Sequence, residues 1–180
     1  MPAARWRHLP LALSFLVALL GAMTALASRD EYQVKAAFLL NFAKLVKWPA
    51  RVQPAPGDPI VLGVKGGASV VESLSSRLEG AEVGDHAVAV RVVSEASDIP
   101  GCHIVFFASG HETSALLDAA RSHAVLSVGE SEGFAARGGV VNFISEGKKL
   151  RFEINPAAAG QAEIEISSRL LRLAKLVTDQ

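Results

Sequence analysis

From His103 to Ala108 the chain runs His-Ile-Val-Phe-Phe-Ala, and after the histidine no side chain is polar. A strand with one wet face alternates apolar and polar residues. This stretch does not alternate, so it is expected to be covered on both faces. A sheet with helices layered on each side meets that demand. The flanking segments fit such a sheet. Short apolar strands are predicted at 60–64, 87–93 and 124–128, and helical periodicity at 68–79 and 111–122. Near the C-terminus, strands 140–145 and 150–154 flank Glu146-Gly147-Lys148-Lys149, which predicts a hairpin. Asn155-Pro156 is a helix start, a capping side chain followed by proline at the first helical position. A last helix is expected over 168–177, capped by Ser167 or Ser168. The expected fold class is therefore α/β: a single domain with a mainly parallel central sheet, helices on both faces and a C-terminal antiparallel hairpin.

The N-terminus has the three parts of an export signal. Arg5, Arg7 and His8 are followed by the apolar run Leu9 to Leu20, and then by Ala25-Leu26-Ala27. That order predicts a signal peptide over 1–27, cut before Ser28, and a domain over 28–180. An uncleaved anchor is the competing reading, because Leu9 to Ala27 carries no charge and just suffices to span a bilayer. Pro10 and the small residues near the end of the run favour cleavage. After Ala27 no apolar run is long enough to cross a membrane.

Glu31 to Trp48 is predicted as an amphipathic helix stopped by Pro49. Val34, Phe38, Leu39, Phe42, Ala43, Leu45 and Val46 share one arc, and Gln33, Asn41, Lys44 and Lys47 oppose them. Leu40 and Trp48 fall on the polar side, in line with Lys44. Pro49 to Pro59 holds four prolines and a glycine and is expected to be a connecting loop.

Composition excludes several classes. Eighteen basic residues balance eighteen acidic ones, and loss of Arg5 and Arg7 leaves a net charge of −2. No basic stripe exists, so nucleic acid is not an expected partner. Cys102 is the single cysteine, which rules out an internal disulfide. Its place at the head of the apolar run suggests a small buried side chain.

Candidate chemistry is sparse. Gly63, Gly66 and Gly67 follow a strand, but neither G-x-G-x-x-G nor G-K-[ST] appears, so a tight turn is expected rather than a nucleotide loop. His86, His103, His111 and His123 show no zinc spacing. Ser109 sits at a strand end without a nucleophile elbow and is read as a helix cap. Glu163 and Glu165 alternate with Ile164 and Ile166, as in a solvated edge strand. No cofactor and no catalytic set is expected.

Three stretches point to a family. They are YQVKAAFLLNFAKLVKWP at 32–49, GGVVNF at 138–143, and LRFEIN at 150–155 followed by ISSRLLRLA at 166–174. Over about Tyr32 to Leu176 the chain resembles the YfiR-like family of exported bacterial proteins. The resemblance implies a periplasmic α/β domain without known enzymatic activity, of a kind described as dimers. In its best-known members it implies a repressor that binds the periplasmic domain of a membrane-bound diguanylate cyclase and so restrains cyclic-di-GMP output and biofilm formation. It further implies an OmpA-like outer-membrane lipoprotein as a second partner, which sequesters the repressor. Other members adjoin histidine kinases. Disulfide-bonded members carry paired cysteines, and this chain departs from them with Cys102 alone.

Two surfaces are expected to carry such a role. Leu40, Lys44 and Trp48 offer an exposed aromatic anchor beside a cation, provided that the Pro49–Pro59 loop does not cover them. Arg151 and Glu153, on one strand face, are expected to pair or to face a partner. A ligand crevice is expected at the carboxyl edge of the sheet near Gly66, Ser109 and Gly129. A periplasmic small-molecule sensor, and a hydrolase using Ser109, are the alternatives to the repressor.

Overall fold

A computed structural model describes residues 31–147 and 149–178. The predicted signal peptide lies outside them. A first helix, α1, covers 31–45. Then come β1 (Val46–Lys47), β2 (Ile60–Lys65), α2 (Ala68–Leu78), β3 (Glu82–Val83), β4 (His86–Val92) and β5 (Ile104–Phe107). The chain continues through α3 (Ser114–Ser122), β6 (Leu126–Gly129), β7 (Val141–Glu146) and β8 (Lys149–Ile154). It ends with α4 (Pro156–Gln161), β9 (Glu165–Ile166), α5 (Ser168–Leu171) and β10 (Lys175–Leu176).

The main sheet has the order β10-β8-β7-β6-β5-β2-β4-β3. The β7-β6, β6-β5, β5-β2 and β2-β4 neighbours are parallel. The β7-β8 hairpin is antiparallel, and β10 adds to β8 in parallel beyond it. This is the expected mixed α/β sheet. Every residue of β5 and β6 is buried, as the unbroken apolar run demands. On one face Leu39 and Phe42 of α1, Leu74 and Leu78 of α2, and Ala158 and Ala159 of α4 pack over Leu62, Val64, Phe106, Val128 and Phe143. On the other face Leu116, Leu117 and Ala120 of α3 pack over Val105 and Phe107 with Phe134.

Three local expectations change. The first helix ends at residue 45 rather than 48, because Val46 and Lys47 pair with Ile166 and Glu165 in a separate two-stranded ladder. The last helix is a single turn, since Lys175 and Leu176 leave it to pair with Glu153 and Ile154. Thr113, not Ser109, caps α3, with its side chain accepting from the Leu116 N–H. The Asn155 and Ser167 caps form as expected, accepting from Ala158 and Leu170.

Candidate functional site

The two ends of α1 carry two different sites. Tyr32 and Lys35 lie in its first turns, over the carboxyl ends of β5 and β6. Lys35 is only 3% exposed despite its charge. Its ammonium is ion-paired to Glu31 and to Glu130, the residue after β6. Glu130 Oε1 accepts from the Tyr32 hydroxyl at 3.0 Å and from the Ser109 N–H at 3.0 Å. The Lys35 ammonium also stands 4.8 Å from the centre of the Tyr32 ring. Burial, then the Glu130 charge and hydrogen bond, and then Glu31, push the Tyr32 phenol far above its ordinary range, so it stays a donor.

Beside this network the loop after β5 is tied to the loop after β6. The Gly110 N–H donates to Ser131 Oγ, which donates to Glu112 Oε2 at 2.8 Å. Arg137 closes the set with a 2.7 Å ion pair to Glu112. Burial works to raise the Glu112 carboxyl, but its own backbone N–H, Ser131 and Arg137 outweigh it and hold the group below the usual range. The result is a braced cleft of about 480 Å³, with Tyr32, Lys35, Glu130, Ser109 and Glu132 on one side and Phe143, Ile144 and Leu150 on the other.

The crevice was expected from Gly66, Ser109 and Gly129, and only Ser109 lines it. Gly66 and Gly129 serve packing instead. A β-carbon on Gly66 would stand 2.9 Å from that of Ala108. One on Gly129 would meet the Phe134 ring at 2.4 Å, and Gly139 is closed by the same ring. Tyr32, Lys35, Glu130 and Glu132 were not anticipated. The legible signal was Lys35 itself, a lysine four residues before Leu39 on the apolar side of the helix.

The second site lies past the other end of α1. Trp48 is not the exposed anchor expected. It is 6% exposed, its Nε1–H donates to the His103 carbonyl at 3.1 Å, and its ring meets the His103 ring edge-on. The helix ends three residues earlier, so the helical wheel does not govern where the indole points. Gln53 of the following loop donates to the Trp48 carbonyl. Leu40 is half-buried against the core, and Lys44 is exposed. Lys44 and Trp48 nevertheless share a cleft of about 560 Å³. Lys47 and His86 complete its rim, Ile60 and Val83 share its floor with the indole, and among the described residues no carboxylate lines it.

His103 beneath Trp48 accepts the Val61 N–H at Nδ1. Burial pushes its imidazole below the ordinary value, against a bond to the Val52 backbone, with His86 adding to the downward shift. Cys102 is buried as expected, and burial pushes its thiol up. Arg151 and Glu153 do not pair with each other. Arg151 lies 3.8 Å from Glu146, while Glu153 pairs with Lys175 at 2.9 Å and accepts from the fully buried Asn142. Among the described residues no group of three or more His, Cys, Asp or Glu is placed to hold a metal ion. None of their helices is long and apolar enough to cross a membrane.

The model of one family, YfiR/HmsC-like, matches residues 32–175, a span that holds the described lining of both clefts except Glu31. The chain belongs to the YfiR/HmsC-like family. The search of curated proteins finds no match. Two solved structures share part of the path of the chain. One is described as the ABC domain in complex with L-Trp from Streptococcus pneumonia (11% identity, TM-score 0.48). The other is a conserved domain protein from Vibrio cholerae O1 biovar El Tor (15% identity, TM-score 0.49). Each alignment covers 67% of this chain and 55% of the other, so the chain spans about half the length of either structure. At those scores the likeness carries no argument about function.

Proposed function

We propose that this YfiR/HmsC-like protein is a periplasmic repressor of an inner-membrane signalling enzyme of the diguanylate cyclase type, which it inhibits by binding the periplasmic domain. The observation that carries this reading is the family match across residues 32–175. The signal-peptide pattern over 1–27 supports export. The cleft past the end of α1 supports the contact: Lys44, and Lys47 with its exposed partner Glu165, stand over an apolar floor that no described carboxylate lines, which suits an acidic and apolar segment of a partner. Cleaved, the repressor is free to be captured by an OmpA-like lipoprotein at the outer membrane. Leu173 and Leu176, exposed at the β10 edge of the sheet, offer a homodimer contact.

Deleting the gene should raise cellular cyclic-di-GMP and biofilm mass, and the wild-type chain should restore both. A Lys44→Glu/Lys47→Glu variant should fold, be exported and fail to restore them. Unchanged cyclic-di-GMP on deletion would remove the cyclase from the reading. Co-purification of a histidine kinase from membranes would replace it with that enzyme. A second reading, a small-molecule sensor acting in the same pathway, is favoured by the braced cleft at Ser109 and Glu130.

A further inference from the structure

We propose that the carboxyl-edge cleft binds an organic cation, a primary ammonium carried on an apolar body. The inference rests on the sensor reading of that cleft and adds the chemistry of the ligand. A volume of about 480 Å³ lies within the range of small-molecule sites. One wall is apolar, built from Phe143, Ile144 and Leu150. Among the described residues the facing side carries Glu31, Glu130 and Glu132 against one lining cation, Lys35. Glu31 and Glu130 already share the Lys35 ammonium, and the Glu132 carboxylate has no ion-pair partner among the described residues. An anion entering here meets net negative charge in a partly enclosed space, where Coulomb terms are stronger than in open water. A neutral donor gains only a hydrogen bond from Glu132, without the attraction between opposite charges.

The cleft also holds an ammonium of its own. Lys35 sits between two carboxylates and over the Tyr32 ring, the combination that recognises alkylammonium groups. Glu132 and the second oxygen of Glu31, unpartnered among the described residues, offer similar acceptors one step further out. A ligand would place its ammonium there and its apolar body along Leu150 and Ile144.

Isothermal titration of the purified protein with three matched probes tests this. They are 2-phenylethylammonium, 2-phenylethanol and 3-phenylpropionate. The ammonium should bind more tightly than the other two by up to about fivefold, the upper range for one exposed ion pair. Glu132→Gln and Glu31→Gln should together remove that preference; Glu132→Gln, at the exposed rim, should leave the thermal midpoint near that of the wild type, and Glu31→Gln should lower it, because it takes one of the two carboxylates from the Lys35 ammonium. Equal or tighter binding of the alcohol or the carboxylate would overturn the cation assignment and leave the sensor reading standing. Binding of none of the three would overturn both. A preference for the ammonium that survives the double variant would place the cation elsewhere and overturn the assignment to this cleft.

Discussion

The two ends of α1 are built on opposite electrostatic plans. At the first turns the charges are inside: Lys35 and Glu130 are 4% and 10% exposed in their side chains, with Tyr32 and the Ser109 N–H completing the set. Past the last turn the charges are outside. Lys47 faces Glu165 at 3.6 Å and Arg51 faces Glu163 at 2.7 Å, all of them at least half-exposed or nearly so. There the indole of Trp48 is inside instead. A buried ion pair is costly to assemble and costlier to break by half, whereas an exposed pair contributes little. One end of the helix is thus held by a polar lock, and the other by packing with a decorative rim of charge.

Breaking the lock gives the largest expected effect. Lys35→Met leaves Glu130 buried without its cation and should cost about 3–5 kcal/mol in urea unfolding. Adding Glu130→Gln, which removes the charge but keeps an acceptor for the Tyr32 hydroxyl and the Ser109 N–H, should recover part of that loss. A cost below about 1 kcal/mol for Lys35→Met would erase the distinction between the two ends. Trp48→Phe keeps a ring on the floor of the cleft but removes the donor to the His103 carbonyl. It should cost about 1–2 kcal/mol, from the lost bond and an unfilled edge.

The ends should also answer pH in opposite directions. The Tyr32 phenol is raised in the folded state, so its contribution is complete below its unfolded value and is lost as pH climbs through the alkaline range. The His103 imidazole is lowered, so its contribution is complete above about 6.5, its ordinary value, and is lost as pH falls. Protonating Nδ1 would set two donors, the ring and the Val61 N–H, against each other. The groups near it are His86, which lowers it further, and Asp58, His123 and Arg51 around the neighbouring cleft. Unfolding followed between pH 5 and 7 should show a slope that His103→Gln flattens and Tyr32→Phe does not. Above pH 9 the dependence should reverse, with Tyr32→Phe flattening the curve. The smallest effect belongs to the rim. Arg51→Ala should leave the urea-unfolding curve almost superimposable on that of the wild type, and 0.5 M salt should erase any remaining difference.

The contrast also explains what the sequence disclosed. The strands of the sheet centre were legible because their apolar runs admit no other placement, as at Ile104 to Phe107. The caps at Asn155 and Ser167 were legible because they are local chemistry. The edge strand expected at 163–166 forms as β9, but the two-residue strands β1 and β10 were not legible, since they exist only by pairing with distant segments. That pairing truncates both helices which periodicity had extended. Lys35 was missed for a related reason. The wheel put Val34 on the inner arc, yet Val34 is 46% exposed and the buried side centres on Ala36, Leu39 and Ala43. Its partner Glu130 lies 95 residues away, a separation no local pattern reports. Trp48 lay beyond the true end of the helix, where a wheel has no authority.

Residues 31–45 form one uninterrupted rod of about 22 Å at the usual rise per residue. Its first turn walls the cleft at Ser109, and its last turn borders the cleft over Trp48. Tilting a rod of that length by roughly 5° about one end carries the other through about 2 Å. The two clefts therefore share a lever. A tilt of the helix at the end where Lys35 is clamped would displace Lys44 where it meets solvent.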